Sequence, residues 1–306
     1  MTAARKPIVV VGSINMDLVA RTPRTPSPGQ TVIGTDFAVS PGGKGANQAV
    51  AIARLGYPVE MVGMVGEDVF GQALLDHLKE SGVGIKAVGR ARGPSGVAPI
   101  LVAPGGQNSI VVVPGANHKV DPGYLDSQKN VILSAGIVLC QLELPMEALN
   151  HTLAMCEAAG VPVMLDPAPA ATLAESVWSR VEWFTPNETE TAVYVGSSLK
   201  PETAASELLL RGLKGVILKR GAEGTYVAIS GGKSAWIRPF PVSTVDTVGA
   251  GDCFNGAFAV ALMEGKDCWA AAQFASAAAA LSTTRRGAQA AMPERARVEE
   301  LLAHNR

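Results

Sequence analysis

Short apolar runs alternate with longer amphipathic stretches along most of the chain, and this alternation predicts the fold class. The apolar runs are rich in β-branched residues, as expected for buried strands, and they cover residues 8–11, 61–65, 137–140, 161–165, 183–185 and 216–218. The stretches between them have helical periodicity or are rich in alanine, and they cover residues 46–55, 71–79, 146–159 and 202–210. The pattern predicts a three-layer α/β/α fold, in which helices cover both faces of a mainly parallel central sheet.

Two segments depart from this alternation. Residues 22–39 contain three prolines followed by alternating side chains, and residues 98–102 and 109–113 flank a turn that contains Gly105 and Gly106. The second pattern predicts a hairpin. We expect lid strands from about residues 15–40 and 95–115, inserted in a single domain that spans residues 1–306. A lid would exclude water from a group-transfer site, whereas an ordinary edge hairpin is the alternative that the sequence leaves open.

Composition and charge narrow the range of functions that the chain could have. Among 306 residues, 26 lysines and arginines nearly balance 27 aspartates and glutamates, and no basic run is present, so we expect no binding to nucleic acid or to an anionic membrane. The alanine-rich residues 270–281 predict a buried core helix. No apolar stretch of signal-peptide length precedes residue 8, and no two cysteines have C-x-x-C spacing. We therefore expect a cytoplasmic protein with free thiols.

The stretch VDTVGAGDCFNGA, residues 245–257, contains several candidate residues for binding and catalysis within a short length. Gly249, Ala250 and Gly251 have little or no side chain, so their backbone N–H groups can approach a charged ligand closely. Apolar residues recur with helical spacing from Phe254, so the turn leads into a helix N-terminus, which attracts phosphate. Asp252 at this position has two interpretations: it accepts a proton from an attacking hydroxyl, or it caps the helix.

Other candidate residues follow predicted strands, where open α/β sheets bind their ligands. Asn15 and Asp17 would lie on one face of an extended segment and could bind neighbouring hydroxyls of a sugar; local turn hydrogen bonds are an equal alternative. The loop GGKGAN opens a helix without matching a Walker A motif, and its candidate residues are Gly43, Lys44, Gly45, Ala46 and Asn47. Glu143 and Asp166 each follow a strand, although acidic loop residues are usually solvated.

A second glycine-rich turn, residues 220–224, follows the run at 216–218. Together with residues 249–251 it could hold a polyphosphate. Neither turn matches G-x-G-x-x-G, because Phe254 occupies the third glycine position, so a dinucleotide dehydrogenase is not expected. Asn187 and Glu190 have the spacing of a capping box, which structure alone would explain. No histidine pair has metal-ligand spacing, so a histidine-held metal is not expected.

Six motifs together resemble the ribokinase-like family of sugar and nucleoside kinases, nearly from end to end. They are GSINMDL, GGKGANQA, DPAPA, TPNETE, VDTVGAGDCFNGA and TRRGAQ, in the order and spacing of the family. GGKGANQA, Glu143 and TPNETE resemble the ribose-phosphorylating members. The resemblance implies ATP-dependent phosphorylation of the ribose 5-hydroxyl, with Mg²⁺ and a monovalent cation, K⁺, as cofactors. It also implies a small β-sheet lid and a homodimer joined through the lids.

The resemblance also implies roles for individual residues. Asp252 would be the base, although its ordinary pKa of about 3.9 suits a proton transfer that occurs late. Gly249, Ala250 and Gly251 would stabilise charge on the transferred phosphoryl group. The sugar would be bound by Asn15, Asp17, Gly43, Lys44, Gly45, Ala46, Asn47, Glu143 and Asp252. The nucleotide and Mg²⁺ would be bound by Asn187, Glu190, Lys219, Arg220, Gly221, Ala222, Glu223, Gly224, Gly251, Asp252 and Ser276. The monovalent cation would be bound by Asp246 and Val248, by backbone groups of Ser282, Arg285 and Gly287, and at Ala291.

Three positions depart from the family pattern. Lys219 stands where relatives commonly have threonine, Ser276 where some have histidine, and Ala291 where serine often lines the cation loop. Two other functions stay open. One is a kinase of the same fold that acts on a different sugar, a sugar acid or a nucleoside, and the other is a catalytically silent protein that binds sugar or nucleotide.

Overall fold

The computed structural model describes residues 5–104 and 108–305. Its strands, in chain order, are β1 (Ile8–Val11), β2 (Asn15–Arg21), β3 (Asp36–Gly42), β4 (Val59–Gly66), β5 (Gly84–Ala91), β6 (Gly96–Val102), β7 (Asn108–Ile110), β8 (Ile137–Cys140), β9 (Val163–Leu165), β10 (Trp183–Phe184), β11 (Gly215–Lys219), β12 (Thr225–Ile229) and β13 (Ser234–Ile237).

Helices separate most of the strands. They are α1 (Lys44–Arg54), α2 (Val69–Glu80), α3 (Pro122–Ser127), α4 (Lys129–Leu133), α5 (Met146–Ala159), α6 (Glu175–Trp178), α7 (Glu188–Val195), α8 (Pro201–Leu210), α9 (Ala250–Met263), α10 (Cys268–Ser282) and α11 (Arg295–His304). Short 3-10 helices cover Gly115–Lys119, Gly221–Glu223 and Gln289–Ala291. Within the described ranges, no helix has both the length and the apolar character that crossing a membrane requires.

A nine-stranded sheet forms the centre of the molecule, in the order β13-β12-β11-β10-β9-β8-β1-β4-β5. Neighbouring strands from β11 to β5 pair in parallel, and β12 and β13 add an antiparallel edge. Alternate residues of β1 enter different cores: Ile8 and Val10 belong to the core that includes α1 and α9, whereas Val9 and Val11 belong to the core that includes α5 and α8. Burial on both faces explains the continuous apolar runs and confirms the predicted α/β/α class.

A separate four-stranded sheet has the order β3-β2-β6-β7. The predicted hairpin is present as the antiparallel pair β6–β7, although β7 ends at Ile110 and Val113 forms only an isolated bridge to Val97. The turn at Gly105 and Gly106 lies outside the described residues. The smaller sheet is therefore confirmed, whereas its action as a lid and the single-domain boundary at 1–306 stay predictions.

Three strands of the large sheet, β5, β12 and β13, were not predicted. β5 and β13 lie at the edges of the sheet, where most of their side chains are partly or fully exposed, so they lack the continuous apolar run of a central strand.

The alanine-rich helix α10 was predicted correctly and is buried along most of its length. It packs on α9, which also packs on α1. These contacts hold the N-terminus of α9 close to that of α1.

Candidate active site

Polar side chains gather at the carboxyl edge of the large sheet, facing the N-termini of α1 and α9. Parallel pairing brings the ends of β1, β8, β9 and β11 to the same edge, as the sequence order of the strands predicted. The side chains that meet there come from distant positions; Asn47 and Asp252, for example, are 205 residues apart. Asp252 lies at the centre of this group.

Asp252 occupies the first turn of α9 and is 6% exposed. Its Oδ2 accepts a hydrogen bond from Asn47 Nδ2 at 2.9 Å, and its Oδ1 accepts one from Gln48 Nε2 at 3.3 Å. Burial is the main reason that the pKa of Asp252 is raised to about 6; the Lys44 ammonium opposes the shift and Asp166 adds to it. Gly249, not Asp252, is the cap of α9, so the capping interpretation is wrong. A carboxylate with a raised pKa has the properties that a general base near neutral pH requires.

The turn before α9 has the geometry of an anion site. Gly249 has a φ of 76°, and a Cβ at this position would lie 2.9 Å from the Cβ of Ala288, so only glycine fits. Ala250 begins the helix, and the first-turn N–H groups of Gly251 and Asp252 precede any carbonyl partner within it. A Cβ on Gly251 would lie 3.4 Å from Lys219 Nζ, which places that ammonium beside the turn.

Asn15 and Asp17 lie in the extended strand β2, so the alternative of a local turn is wrong. Asn15 is 2% exposed, and its Oδ1 accepts a hydrogen bond from Asn117 Nδ2 at 2.7 Å. Asn117 is oriented in turn by the backbone N–H and carbonyl of Ile14. The Asn15 carbonyl is thus occupied, which leaves its NH₂ group to bind a ligand. Asn117 was missed, because it lies in a 3-10 helix with no motif around it.

Asp17 lies against Gly42, where a Cβ would collide with its carboxylate. Burial raises the pKa of Asp17 to about 7, and the negative charges of Glu143 and Asp252 add to the shift. A hydroxyl that donates to this carboxylate would stabilise its ionised form. Asp17 is therefore well placed to accept hydrogen bonds from a polyhydroxylated ligand.

Glu143 and the start of α1 bind each other. Glu143 Oε2 accepts hydrogen bonds from the Lys44 backbone N–H at 3.1 Å and from the Ser13 hydroxyl. Gly45 and Ala46 are buried, and their N–H groups donate to Ser13, so these two amides serve the loop itself. Gly43 has a φ of 88°, and a Cβ there would lie 2.7 Å from the backbone nitrogen of Asn15. The glycine-rich loop therefore closes directly over β2.

The Lys44 side chain faces several carboxylates. Burial lowers the pKa of its ammonium, but Asp252, Asp166, Glu143 and Glu190 together outweigh that effect, so the net pKa is raised. Lys44 therefore stays positively charged at neutral pH. A positive charge that interacts with Asp252 in a buried site suits a ligand that carries negative charge.

Asp166 and Gln48 connect Asp252 to Lys219. Asp166 is 3% exposed rather than solvated; its Oδ1 pairs with Lys219 Nζ at 3.0 Å and its Oδ2 accepts from Gln48 Nε2 at 3.0 Å. Sequence reasoning placed Asp166 at a strand end but did not include it among the site residues. Gln48 was missed because a polar residue inside a helix gives no signal of what it faces.

Asn187 and Glu190 form the predicted capping box of α7. Asn187 accepts from the Glu190 N–H at 2.8 Å, and Glu190 accepts from the Asn187 N–H at 2.7 Å. Glu190 is only 8% exposed. Burial raises its pKa, Asp166 adds to the shift, and the Lys219 ammonium opposes it. The pair is therefore structural and also lies within the electrostatic field of the site.

The turn at 220–224 is more exposed. Gly221, Ala222 and Glu223 form a 3-10 helix with no buried residue, and Arg220 pairs with Glu223 at 2.9 Å and with Glu188 at 3.0 Å. Gly224 has a φ of 101°, as the turn requires. Ser276 is 9% exposed in α10, and its hydroxyl lies 3.4 Å from that of Thr225 in β12.

The structure brings together part of the predicted cation loop. Asp246 Oδ1 accepts from the Val248 N–H at 3.1 Å, and Oδ2 accepts from the Gly287 N–H at 2.9 Å. The Ser282 hydroxyl donates to the Ala279 carbonyl, Arg285 is exposed, and Ala291 is buried without a side-chain oxygen, so the predicted backbone groups would have to provide most of the ligands. Among the residues that the structure describes, no three His, Cys, Asp or Glu side chains form a group suited to a metal ion. A cation here would therefore depend on backbone carbonyls.

The sequence and the fold are both similar to known proteins. The sequence profile described as pfkB family carbohydrate kinase matches residues 5–295. The ribokinase of Bacillus subtilis is 45% identical over 297 residues, which cover 97% of this chain and 99% of the relative. The crystal structure of the Thermotoga maritima ribokinase has 38% identity and a TM-score of 0.90, and the match covers 97% of this chain and 99% of that one.

A structure of Arabidopsis thaliana ribokinase complexed with ribose and ATP is similar over the same length. It has 36% identity and a TM-score of 0.90, with 97% of this chain and 98% of that chain covered. A TM-score of 0.90 over nearly the whole length shows that both have the fold of this chain. This chain belongs to the pfkB family of carbohydrate kinases.

Proposed function

We propose that this chain transfers the terminal phosphoryl group of ATP to the 5-hydroxyl of D-ribose, giving D-ribose 5-phosphate and ADP. One observation carries the proposal: the buried Asp252 carboxylate lies at the glycine-rich N-terminus of α9, with the Lys44 charge beside it. The likeness to ribokinases across 97% of the chain supports ribose and ATP as the substrates.

Asp252 would accept the proton of the attacking hydroxyl. With a pKa of about 6 it is mostly ionised at pH 7 to 8, and it is a stronger base than an aspartate of ordinary pKa. In a loose phosphoryl-transfer transition state the proton can leave late, so a base of this strength suffices. The N–H groups around Gly249 to Gly251 and the Lys44 ammonium would stabilise charge on the transferred group.

Ribose would bind between β2 and α1. The Asn15 NH₂ group would donate to the sugar, and the carboxylates of Asp17 and Glu143 would accept from its hydroxyls. Asn47 donates one N–H to Asp252, which leaves its second Nδ2 hydrogen for the sugar. Gly43 would let the backbone approach the ring closely, and the small sheet would close over it as a lid.

The nucleotide would bind on the other side of Asp252. Lys219 and the turn Arg220–Gly224 would contact its phosphates, and Ser276 would lie nearer the adenine base. Asn187 and Glu190 would hold Mg²⁺ together with the phosphates. Their oxygens suit this ion. Burial and, after it, the charge of Asp166 raise the pKa of Glu190, and a bound cation would favour its ionised form. When bound, Mg²⁺ supplies charge neutralisation on the phosphates.

A K⁺ site in the loops at 246–248 and 282–291 is a further part of the proposal. Asp246 joins the two loops through Val248 and Gly287, which supports an ordered cation loop. The fit is partial, because Ala291 provides no hydroxyl. We expect higher activity in KCl than in NaCl at equal ionic strength. Equal rates in the two salts would remove K⁺ from the proposal.

A homodimer through the small sheet is supported by its exposed apolar side chains. Phe37 and Val39 on β3 are 63% and 48% exposed, and Ile110 on β7 is 50% exposed. Sedimentation of the wild type at the dimer mass, and of Phe37→Ser at the monomer mass, would support this surface; a monomeric wild type would contradict it.

All four cysteines are free thiols, which supports a cytoplasmic location.

The decisive experiment measures ADP release with a panel of acceptors in the presence of Mg²⁺ and K⁺. The panel contains ribose, 2-deoxyribose, other pentoses, hexoses, sugar acids and nucleosides, and Asp252→Asn is the control. Ribose is expected to react with the highest kcat/KM. A different preferred acceptor would indicate another kinase of this fold. Ribose binding without ADP release from any acceptor would indicate a silent binding protein.

A further inference from the structure

Four buried carboxamide side chains form two short chains of hydrogen bonds that both end on Asp252. In the first, Gln289 Nε2 donates to Asn47 Oδ1 at 3.0 Å, and Asn47 Nδ2 donates to Asp252. In the second, Gln141 Nε2 donates to Gln48 Oε1 at 2.8 Å, and Gln48 Nε2 donates to Asp252. All four are at most 6% exposed.

The two outer glutamines determine which end of each inner amide faces Asp252. A carboxamide has a donor end and an acceptor end of nearly the same shape, so its orientation depends on its partners. Because Gln289 donates to the Asn47 oxygen, the NH₂ group of Asn47 points to the carboxylate. The reversed amide would place an oxygen against the Asp252 oxygen and would repel it. Gln141 has the same effect on Gln48.

The outer glutamines are poor choices for stability alone. Oε1 of Gln141 and Oε1 of Gln289 are buried and have no hydrogen-bond partner among the described residues. Oε1 of Gln141 lies so close to Gly12 that a Cβ there would collide with it. A buried acceptor without a partner destabilises a fold, and an apolar side chain would avoid that penalty. Each outer glutamine instead contributes the NH₂ group that starts its chain of hydrogen bonds.

We infer that Gln141 and Gln289 are positioning residues for phosphoryl transfer, which orient Gln48 and Asn47 so that both donate to Asp252. The inference rests on the proposed kinase function. Neither glutamine touches the reacting atoms; each acts through the amide next to it. A small displacement of a catalytic group is enough to lower a rate strongly, so orientation at this distance matters.

The two chains have different second partners, which gives them different kinetic signatures. Asn47 also faces the proposed ribose site, and Gln289 donates weakly to the Gly42 carbonyl there, at 3.5 Å. Gln48 instead bonds Asp166, the partner of Lys219, on the phosphate side. Loss of Gln289 should therefore change both kcat and KM for ribose. Loss of Gln141 should lower kcat and leave KM for ribose unchanged.

The test compares two substitutions at each glutamine. Methionine has a similar length without a donor, and glutamate keeps the shape but offers an acceptor in place of the NH₂ group. We expect kcat to fall about 10-fold in Gln289→Met and Gln141→Met and about 100-fold in the glutamate variants. Gln72→Met, at an exposed position on α2, is the matched control and should keep wild-type kcat. Methionine and glutamate variants within about twofold of wild-type kcat, or with equal losses, would overturn the inference.

A second measurement does not depend on activity. In ¹⁵N-labelled wild type without ligand, the side-chain NH₂ signal of Asn47 is identified as the one that Asn47→Asp lacks. We expect slow exchange of this group with water, against fast exchange at Gln72. Exchange at Asn47 as fast as at Gln72 would overturn the inference. If no acceptor yields ADP, the proposed function fails, while this measurement still reports on the hydrogen-bond chain.

Discussion

The proposed sugar-binding part of the site, called the sugar side, and the proposed nucleotide-binding part, called the nucleotide side, hold their residues in different ways. On the sugar side, Asn15 and Asn47 are 2% and 6% exposed and are fixed by amide hydrogen bonds. On the nucleotide side, Arg220 pairs with Glu223 and Glu188, whose side chains are 60% and 51% exposed. Buried hydrogen bonds fix one arrangement, whereas exposed ion pairs are weak and screened by salt.

This difference suits the two substrates. The position of a hydroxyl relative to Asp252 determines whether proton transfer can occur, so the sugar side benefits from being fixed in advance. The nucleotide side can exchange an ion pair for a contact to phosphate at little free-energy cost. Between them, Asp166 and Lys219 form a buried ion pair that borders both parts. Four substitutions or conditions test this comparison.

Asp252→Asn should have the largest effect, because it removes the base that the sugar side positions. We expect kcat to fall about 1,000-fold, within the range that a general base contributes. The fold should be kept, since asparagine has the same shape and removes a buried charge. Steady-state ADP release and thermal unfolding measure the two outcomes. A variant with near-wild-type kcat would show that Asp252 is not the base.

Lys219→Met should destabilise the protein by about 3 kcal/mol, because it leaves the Asp166 carboxylate buried without its cation. The double variant Lys219→Met with Asp166→Asn should recover most of this loss, since both charges are gone. Urea unfolding of the wild type, the two single variants and the double variant measures the coupling. If the double variant is as unstable as the sum of the singles, the pair does not act as a unit.

Protonation of Asp252 at lower pH should reduce activity and, at the same time, stabilise the folded state. Burial raises its pKa from 3.8 to about 6, so the ionised base is lost as pH falls through about 6, and kcat should be about tenfold lower at pH 5. The folded state binds this proton more tightly than the unfolded chain does. The stability that protonation contributes is therefore present below the unfolded pKa and is lost as pH rises through about 6.

The kcat profile between pH 5 and 8 tests the first trend. The difference in unfolding free energy between wild type and Asp252→Asn over the same range tests the second. Asp17→Asn is the control for a second carboxylate with a raised pKa, which is about 7, and this variant should keep the activity loss near pH 6. A flat kcat profile down to pH 5 would contradict the assigned pKa.

Arg220→Gln should have the smallest effect, because its ion pairs are at the surface. We expect KM for ATP to rise about threefold with kcat unchanged, in line with the weak energies of exposed pairs. Lys233→Gln, an exposed change near the tip of the β12–β13 hairpin, is the control and should leave KM for ATP unchanged. A loss of kcat comparable to that of Asp252→Asn would show that the two parts of the site do not differ as described.

Much of the fold could be predicted from local patterns. β1, β8 and α5 begin and end where the apolar runs and the helical period predicted them. β5 and β13 could not be predicted, because an edge strand with few buried positions has no apolar run to identify it. Their assignment depends on pairing with β4 and β12, which are not local features.

The residues of the site also divide into those that could be predicted from local patterns and those that could not. Asp252 and the glycines at 249 and 251 could be identified because a turn with small residues before a helix is a local signal for anion binding. Gln48, Asn117, Gln141 and Gln289 could not, since a glutamine or asparagine has the same local pattern whether it faces solvent or a carboxylate. Their roles appear only from hydrogen bonds to residues about 90 to 240 positions away.

The sequence by itself therefore determined the alternation of central strands and helices, the two glycine-rich turns and Asp252 as a candidate for the base. These follow from backbone preferences and from periodic burial, which act over a few residues. The tertiary structure alone decided that Asp252 does not cap its helix, that its pKa is near 6, and that Asp166 is paired with Lys219 rather than solvated. Burial and charge pairing depend on the distance between side chains in the folded molecule, and residue spacing in the sequence does not contain that distance.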